Sequence, residues 1–155
     1  MSKPGEINKQ ALWWTTIIVA ITSTLIGKLF EVINRSANSE AYASAKGYFS
    51  SYQPDFFPLM YLVAAFFGTL IVVWIYSILL PRMPQNWILR GLTVGIILYV
   101  AVDMAHLVKI GYETGLPPAF ARGMAFFSLL ASLINGCILS YVHSWVSGER
   151  KKSKQ

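Results

Sequence analysis

The sequence predicts an all-α protein, a four-helix transmembrane bundle with a long first extracytoplasmic loop. Three observations carry this. The 155-residue chain is 55% hydrophobic and only 13% charged, where a soluble domain carries about 25% charged residues. Its mean hydropathy is +0.50. Four stretches reach the length of about 20 apolar residues that a helix needs to cross the hydrocarbon core. A soluble helix shows one apolar stripe and one polar face, whereas the stretch beginning "FPLMYLVAAFFGTL" is apolar all round and carries no charge. The length fits one integral membrane domain, residues 1–155.

The first span is expected over residues 11–34, "ALWWTTIIVAITSTLIGKLFEVIN". Its apolar run is too long for a signal peptide and further spans follow, so it reads as a retained helix. The second is expected over 57–80 and the third over 87–110. The connecting "PRMPQN" holds two prolines that oppose continuation of a helix. The fourth, over 119–146, follows "GYETGLPP". These two connections are short, so consecutive helices should be antiparallel neighbours. The first loop, "RSANSEAYASAKGYFSSYQPDF", is long enough to hold a short interfacial helix.

Lys3, Lys9, Arg82, Arg90, Arg150, Lys151, Lys152 and Lys154 fall on one side of this topology. Arg35, Lys46, Lys109 and Arg122 fall on the other. The first group is larger and tighter, which puts both termini in the cytoplasm. Trp13, Trp14, Trp87, Tyr141 and Trp145 are then amphipathic anchors at the cytoplasmic interface, and His143 joins them there. The net charge of +6 is accounted for by topology and anionic lipid headgroups. No basic stripe interleaved with aromatics suggests nucleic acid. The expected partners are membrane lipids, with other membrane subunits or further copies of the chain as candidates.

Polar residues inside the spans are the candidate site. In "VDMAHLVK", Asp103, His106 and Lys109 are spaced by three, and Tyr99 lies one turn before Asp103, so the four share one helix face. On the first span, Lys28 and Glu31 sit at the matching depth, the outer third. This suggests Lys28 with Asp103, and Glu31 with His106 or Lys109, as ion pairs. Arg122 opens the last span within reach of the same cluster. A charge at the bilayer centre costs about 2.5–3.5 kcal/mol on insertion scales and is by default a functional hypothesis. The competing structural reading has Lys28, Arg35 and Lys109 reaching the outer headgroups, with Glu31 and Asp103 paired to them.

Helix packing is expected at Gly91 and Gly95, a Gly-x-x-x-Gly pair, and at Ser128, Ser132, Asn135 and Gly136. No cofactor or metal is implied: His106 and His143 fall near opposite membrane faces and cannot share one iron. An acid and an imidazole three residues apart are too few ligands for zinc. The single Cys137 cannot form an intramolecular redox pair. No Gly-x-Ser-x-Gly, phosphate loop or His-Glu-x-x-His pattern marks a catalytic residue.

"GLTVGIILYVAVDMAHLVKI" resembles a box in a family of small bacterial four-helix inner-membrane proteins: Gly, apolar residues, Tyr, three residues, then Asp-Leu-Thr-Asn-Leu. Tyr99, Asp103, Met104, His106 and Leu107 occupy those places, with His106 where the family has Asn. The resemblance covers the C-terminal half and implies a four-span protein of the bacterial inner membrane, without implying an activity. On the residues alone, the leading reading is a non-catalytic subunit or accessory protein acting through intramembrane helix contacts. The alternatives are a small transporter or proton-coupled binding protein using Lys28, Glu31, Asp103 and His106, and a lipid-modifying enzyme using Asp103 and His106.

Overall fold

The computed structural model describes residues 9–40, 43, 57–105, 107–108 and 118–148. These form four long helices without strands: α1 (Lys9–Ala37), α2 (Phe57–Leu79), α3 (Trp87–Leu98) and α4 (Pro118–Val146). All four elements, α3 taken together with its continuation to Met104, are long and apolar enough to cross a membrane. Most of the expected loop helix between α1 and α2, of which only residues 38–40 and 43 are described, and the whole third connection lie outside the described residues.

The surface is apolar and much of the interior is polar, the reverse of a soluble domain. Leu25 and Val32 on α1 are each 65% exposed, and Ile21, Phe67, Ile71, Ile96 and Val102 also face outward. Thr15, Thr16, Ser132, Ser140, His143 and Ser144 are buried. Such a pattern is stable where hydrocarbon bathes the outside, so the chain is an integral membrane protein. Within the helices, hydroxyls bond to carbonyls one turn back. Thr16 donates to the Leu12 carbonyl (2.8 Å), Thr24 to Ala20 (2.8 Å), Ser77 to Val73 (2.8 Å) and Thr93 to Leu89 (2.9 Å). This satisfies polar side chains locally where no water is available.

The helix ends follow from local chemistry. A 3₁₀ turn, Leu80–Arg82, closes α2 with Pro81 in its first positions. Asn86 caps α3, its side-chain oxygen accepting from the Ile88 N–H at 2.8 Å. Pro118 heads α4, where its missing N–H costs nothing. Gly148 ends it at φ 74°, the left-handed conformation that favours glycine just beyond a helix.

The central contact is α3 against α4, where the helices meet backbone to backbone. A Cβ at Gly91 would stand 2.5 Å from the Cys137 Cα, and one at Gly95 would stand 2.7 Å from the Leu133 Cα. Gly136 faces them, and a Cβ there would run into the Gly91 carbonyl and the Gly95 backbone. Trp87 and Tyr141 pack edge to face beside this crossing, centroids 5.3 Å apart. On its other side α4 meets α1 through Phe30 and Phe127, centroids 6.0 Å apart. α2 lies against α1, with Trp13 stacked on Phe66 at 6.3 Å. Val19, Val73, Tyr76, Val94, Leu139 and Val142 form the shared core.

Beyond Leu98 the third span changes winding: Tyr99–Met104 form a six-residue π-helical segment. Such segments are rare and frequent at functional sites. This one carries Asp103.

Candidate functional site

A chamber of about 310 Å³ lies between α1, the π segment and α4. α1 contributes Gly27, Phe30, Glu31 and Asn34. α4 contributes Phe127, Ser128, Ser132 and Asn135, and the π segment contributes Asp103. The polar residues fall here because α4 places Ser128, Ser132 and Asn135 at spacings of four and three, one face of a helix. The small Gly136 sits next to that face and lets α3 come close, which brings Asp103 across.

Asp103 accepts a short hydrogen bond from the Ser132 hydroxyl. Ser132 is the central residue of α4, equidistant from Pro118 and Val146, and so about 21 Å from either end at 1.5 Å per residue. The carboxylate is thus level with the middle of α4, and on α1 the chamber is lined by Gly27 to Asn34, towards the end of that helix at Ala37. The Gly91/Gly95/Gly136 crossing fixes the register of the two helices that bring Asp103 and Ser132 together.

The pairing differs from expectation. Lys28 bonds Glu31 on its own helix at 2.7 Å, both side chains more than half exposed. A one-turn intrahelical pair forms without any demand on helix crossing, so it takes precedence over the distant Asp103. Among the described residues no Lys or Arg pairs with Asp103. His106 and Lys109, the expected partners of Glu31, lie outside the described side chains. Tyr99 is half-buried in the π segment and Arg122 is exposed on α4, and neither lines the chamber.

Asn135 points an oxygen inward: its Oδ1 is fully buried and accepts no hydrogen bond. Gly123 meets the Asn34 side chain from α4, and Asn34 Oδ1 in turn accepts from Asn38 Nδ2 at 2.7 Å. Among the described residues no three His, Cys, Asp or Glu side chains gather as a metal site would require. Among the described residues, the walls offer one carboxylate with no cation paired to it, one ion-paired carboxylate, hydroxyls and two aromatic rings. These can hold a small polar or cationic group.

A second polar network, at the end holding Lys9, Arg82 and Val146, was missed by sequence reasoning. Arg90 is buried, with Nε donating to the Pro84 carbonyl (3.0 Å), Nη2 to Gln85 (2.9 Å) and Nη1 reaching the Tyr76 hydroxyl (3.5 Å). The Tyr76 hydroxyl donates to Ser140 Oγ at 3.3 Å. His143, in the last turn of α4, is buried, with 6% of its surface exposed. It packs edge-on against Tyr76 with centroids 5.1 Å apart, and its Nε2 is 3.5 Å from Ser77 Oγ. Tyr76 and Ser77 reach across from α2 to α4 there and cover the ring. The available signal was Arg90 itself: a cation in the first turn of a helix opposes the helix dipole and needs specific acceptors. Arg90→Ala is expected to cost about 2–3 kcal/mol through the loss of charge-assisted bonds to the loop carbonyls, read as a lower melting temperature in detergent. Wild-type melting of this variant would show that the loop is not held by Arg90.

Comparison with protein-family models, curated proteins and solved structures returned no match. What the chamber does is therefore argued from its own chemistry.

Proposed function

We propose that this chain is a small solute-binding or transport protein of a bacterial inner membrane, with both termini cytoplasmic and with the Asp103 chamber as its working site. The observation that carries the reading is a carboxylate on a membrane-spanning element, lining a cavity with no cationic partner among the described residues. An intramembrane acid is expensive and is kept where it exchanges a proton or an ion. The π segment that presents it supports the same reading.

The accessory-subunit reading rested on the small-residue seams. Gly91, Gly95 and Gly136 pack on one another within the chain, and Ser128, Ser132 and Asn135 line the chamber. Those seams are used internally and no longer favour an outside partner.

The test is flux. Proteoliposomes holding the full chain and an internal pH-sensitive dye should relax an imposed pH gradient faster than empty vesicles. Asp103→Asn should remove that difference. Equal relaxation by both proteins, or none by wild type, overturns the reading.

A further inference from the structure

The walls of the chamber select a chemical class of occupant, given that the chamber is a binding site at all, as proposed above. The charged group that remains open to a ligand is an acceptor, set among hydroxyls and amides. Asp103 holds a carboxylate whose partner is the Ser132 hydroxyl, and the buried Asn135 Oδ1 accepts nothing. Glu31 is already matched by Lys28 at 2.7 Å, so the described lining carries one uncompensated negative charge. Among the described residues no Lys or Arg lines the chamber. An anion would therefore meet a carboxylate and no donor cation, and a dication would leave a net positive charge in a low-dielectric setting.

Size and aromaticity narrow the class further. The cavity of about 310 Å³ is at the small end of the range for organic ligands, about 300–1,000 Å³. A bare metal ion needs oxygens converging to about 2.0–2.6 Å, far tighter than this space. Phe30 and Phe127 both line the cavity, their rings inclined at 47° with centroids 6.0 Å apart. A tilted aromatic pair offers a face to a cation.

We propose that the chamber takes a small organic monocation, an amine or quaternary ammonium bearing at most one aromatic ring, held between the Asp103 carboxylate and the Phe30/Phe127 pair. When the cation has an N–H, it donates to the Asp103 carboxylate itself. A quaternary ammonium satisfies the carboxylate and rings alone.

The probe is phenyltrimethylammonium, titrated calorimetrically into the full chain in mild detergent, with benzyl alcohol and sodium chloride as comparisons. Saturable one-to-one binding is expected. Asp103→Asn should weaken it at least about tenfold through loss of the desolvated charge pair, and Phe127→Leu about fivefold through loss of the ring face. The inference is overturned if benzyl alcohol binds as well, if sodium at the same concentration displaces the probe, or if both variants bind like wild type. If Asp103→Asn fails to fold, Phe127→Leu decides alone. Asp103-dependent proton flux without probe binding removes the organic cation and leaves the site. Loss of both removes the site as well.

Discussion

Gly136→Leu is expected to prevent α3 and α4 from assembling, with a larger stability loss than Arg90→Ala or any change at Asp103. Ordinary overpacking costs about 1–3 kcal/mol because side chains can rotate away. At Gly136 the obstacle is the Gly91 carbonyl and the Gly95 backbone, neither of which can move without shifting the whole helix. Separating the helices would also open the Ser132–Asp103 hydrogen bond and the Trp87–Tyr141 contact. A loss of about 3 kcal/mol or more is expected, measured as a collapse of the melting temperature in detergent by circular dichroism. Gly27→Leu and Gly68→Leu are the controls, since nothing stands within 4 Å of a Cβ at either position. Their melting should stay close to wild type. A Gly136→Leu protein that melts like these controls would show that the two helices do not meet through glycine.

Asp103→Asn is expected to separate stability from function. Asparagine is nearly isosteric and keeps an oxygen for the Ser132 hydroxyl, so the one hydrogen bond that ties Asp103 to α4 survives. What disappears is a charge held within an apolar bundle, where an acid costs at most about 2.5–3.5 kcal/mol on insertion scales. The melting temperature should therefore hold or rise. Flux and cation binding should fall, because amide nitrogen and oxygen carry no net charge to attract a cation or exchange a proton. A structural carboxylate behaves oppositely: Asp103→Asn would lower the melting temperature and leave any ligand of the chamber unaffected. Asp103→Leu removes the hydrogen bond too, leaves the Ser132 hydroxyl without its partner, and should lose both stability and activity.

The contrast between what hydropathy revealed and what it concealed has a physical basis. A helix bathed in hydrocarbon records its solvent in every exposed residue, so the spans were legible to within a few residues at α1, α2 and α4. Glycines at 91 and 95 announced a close approach because only a missing Cβ permits one. The facing residue was also visible in Gly136, although not the backbone contact itself. Pair choice was not legible. Lys28 reaches Glu31 on its own helix, while Asp103 meets Ser132 through a crossing register that no one-dimensional spacing encodes. The π segment escaped for a related reason: the wider winding leaves no mark on the local composition of Tyr99–Met104. The burial of His143 was not legible because an amphipathic ring near a helix end suits exposed and buried settings alike, and only its contact with Tyr76 distinguishes them.

Whether the chamber is a working site or a sealed polar contact comes down to access. Ser128→Cys, made with Cys137→Ala as the only other change, gives one thiol on the chamber wall and keeps Asp103 intact. In proteoliposomes it is treated with a cationic, membrane-impermeant methanethiosulfonate reagent, with and without phenyltrimethylammonium. The expected result is modification from the aqueous phase, slowed by the organic cation. A thiol that stays unmodified in intact vesicles but reacts once the protein is unfolded would contradict it, and would leave Asp103 as a buried structural acid.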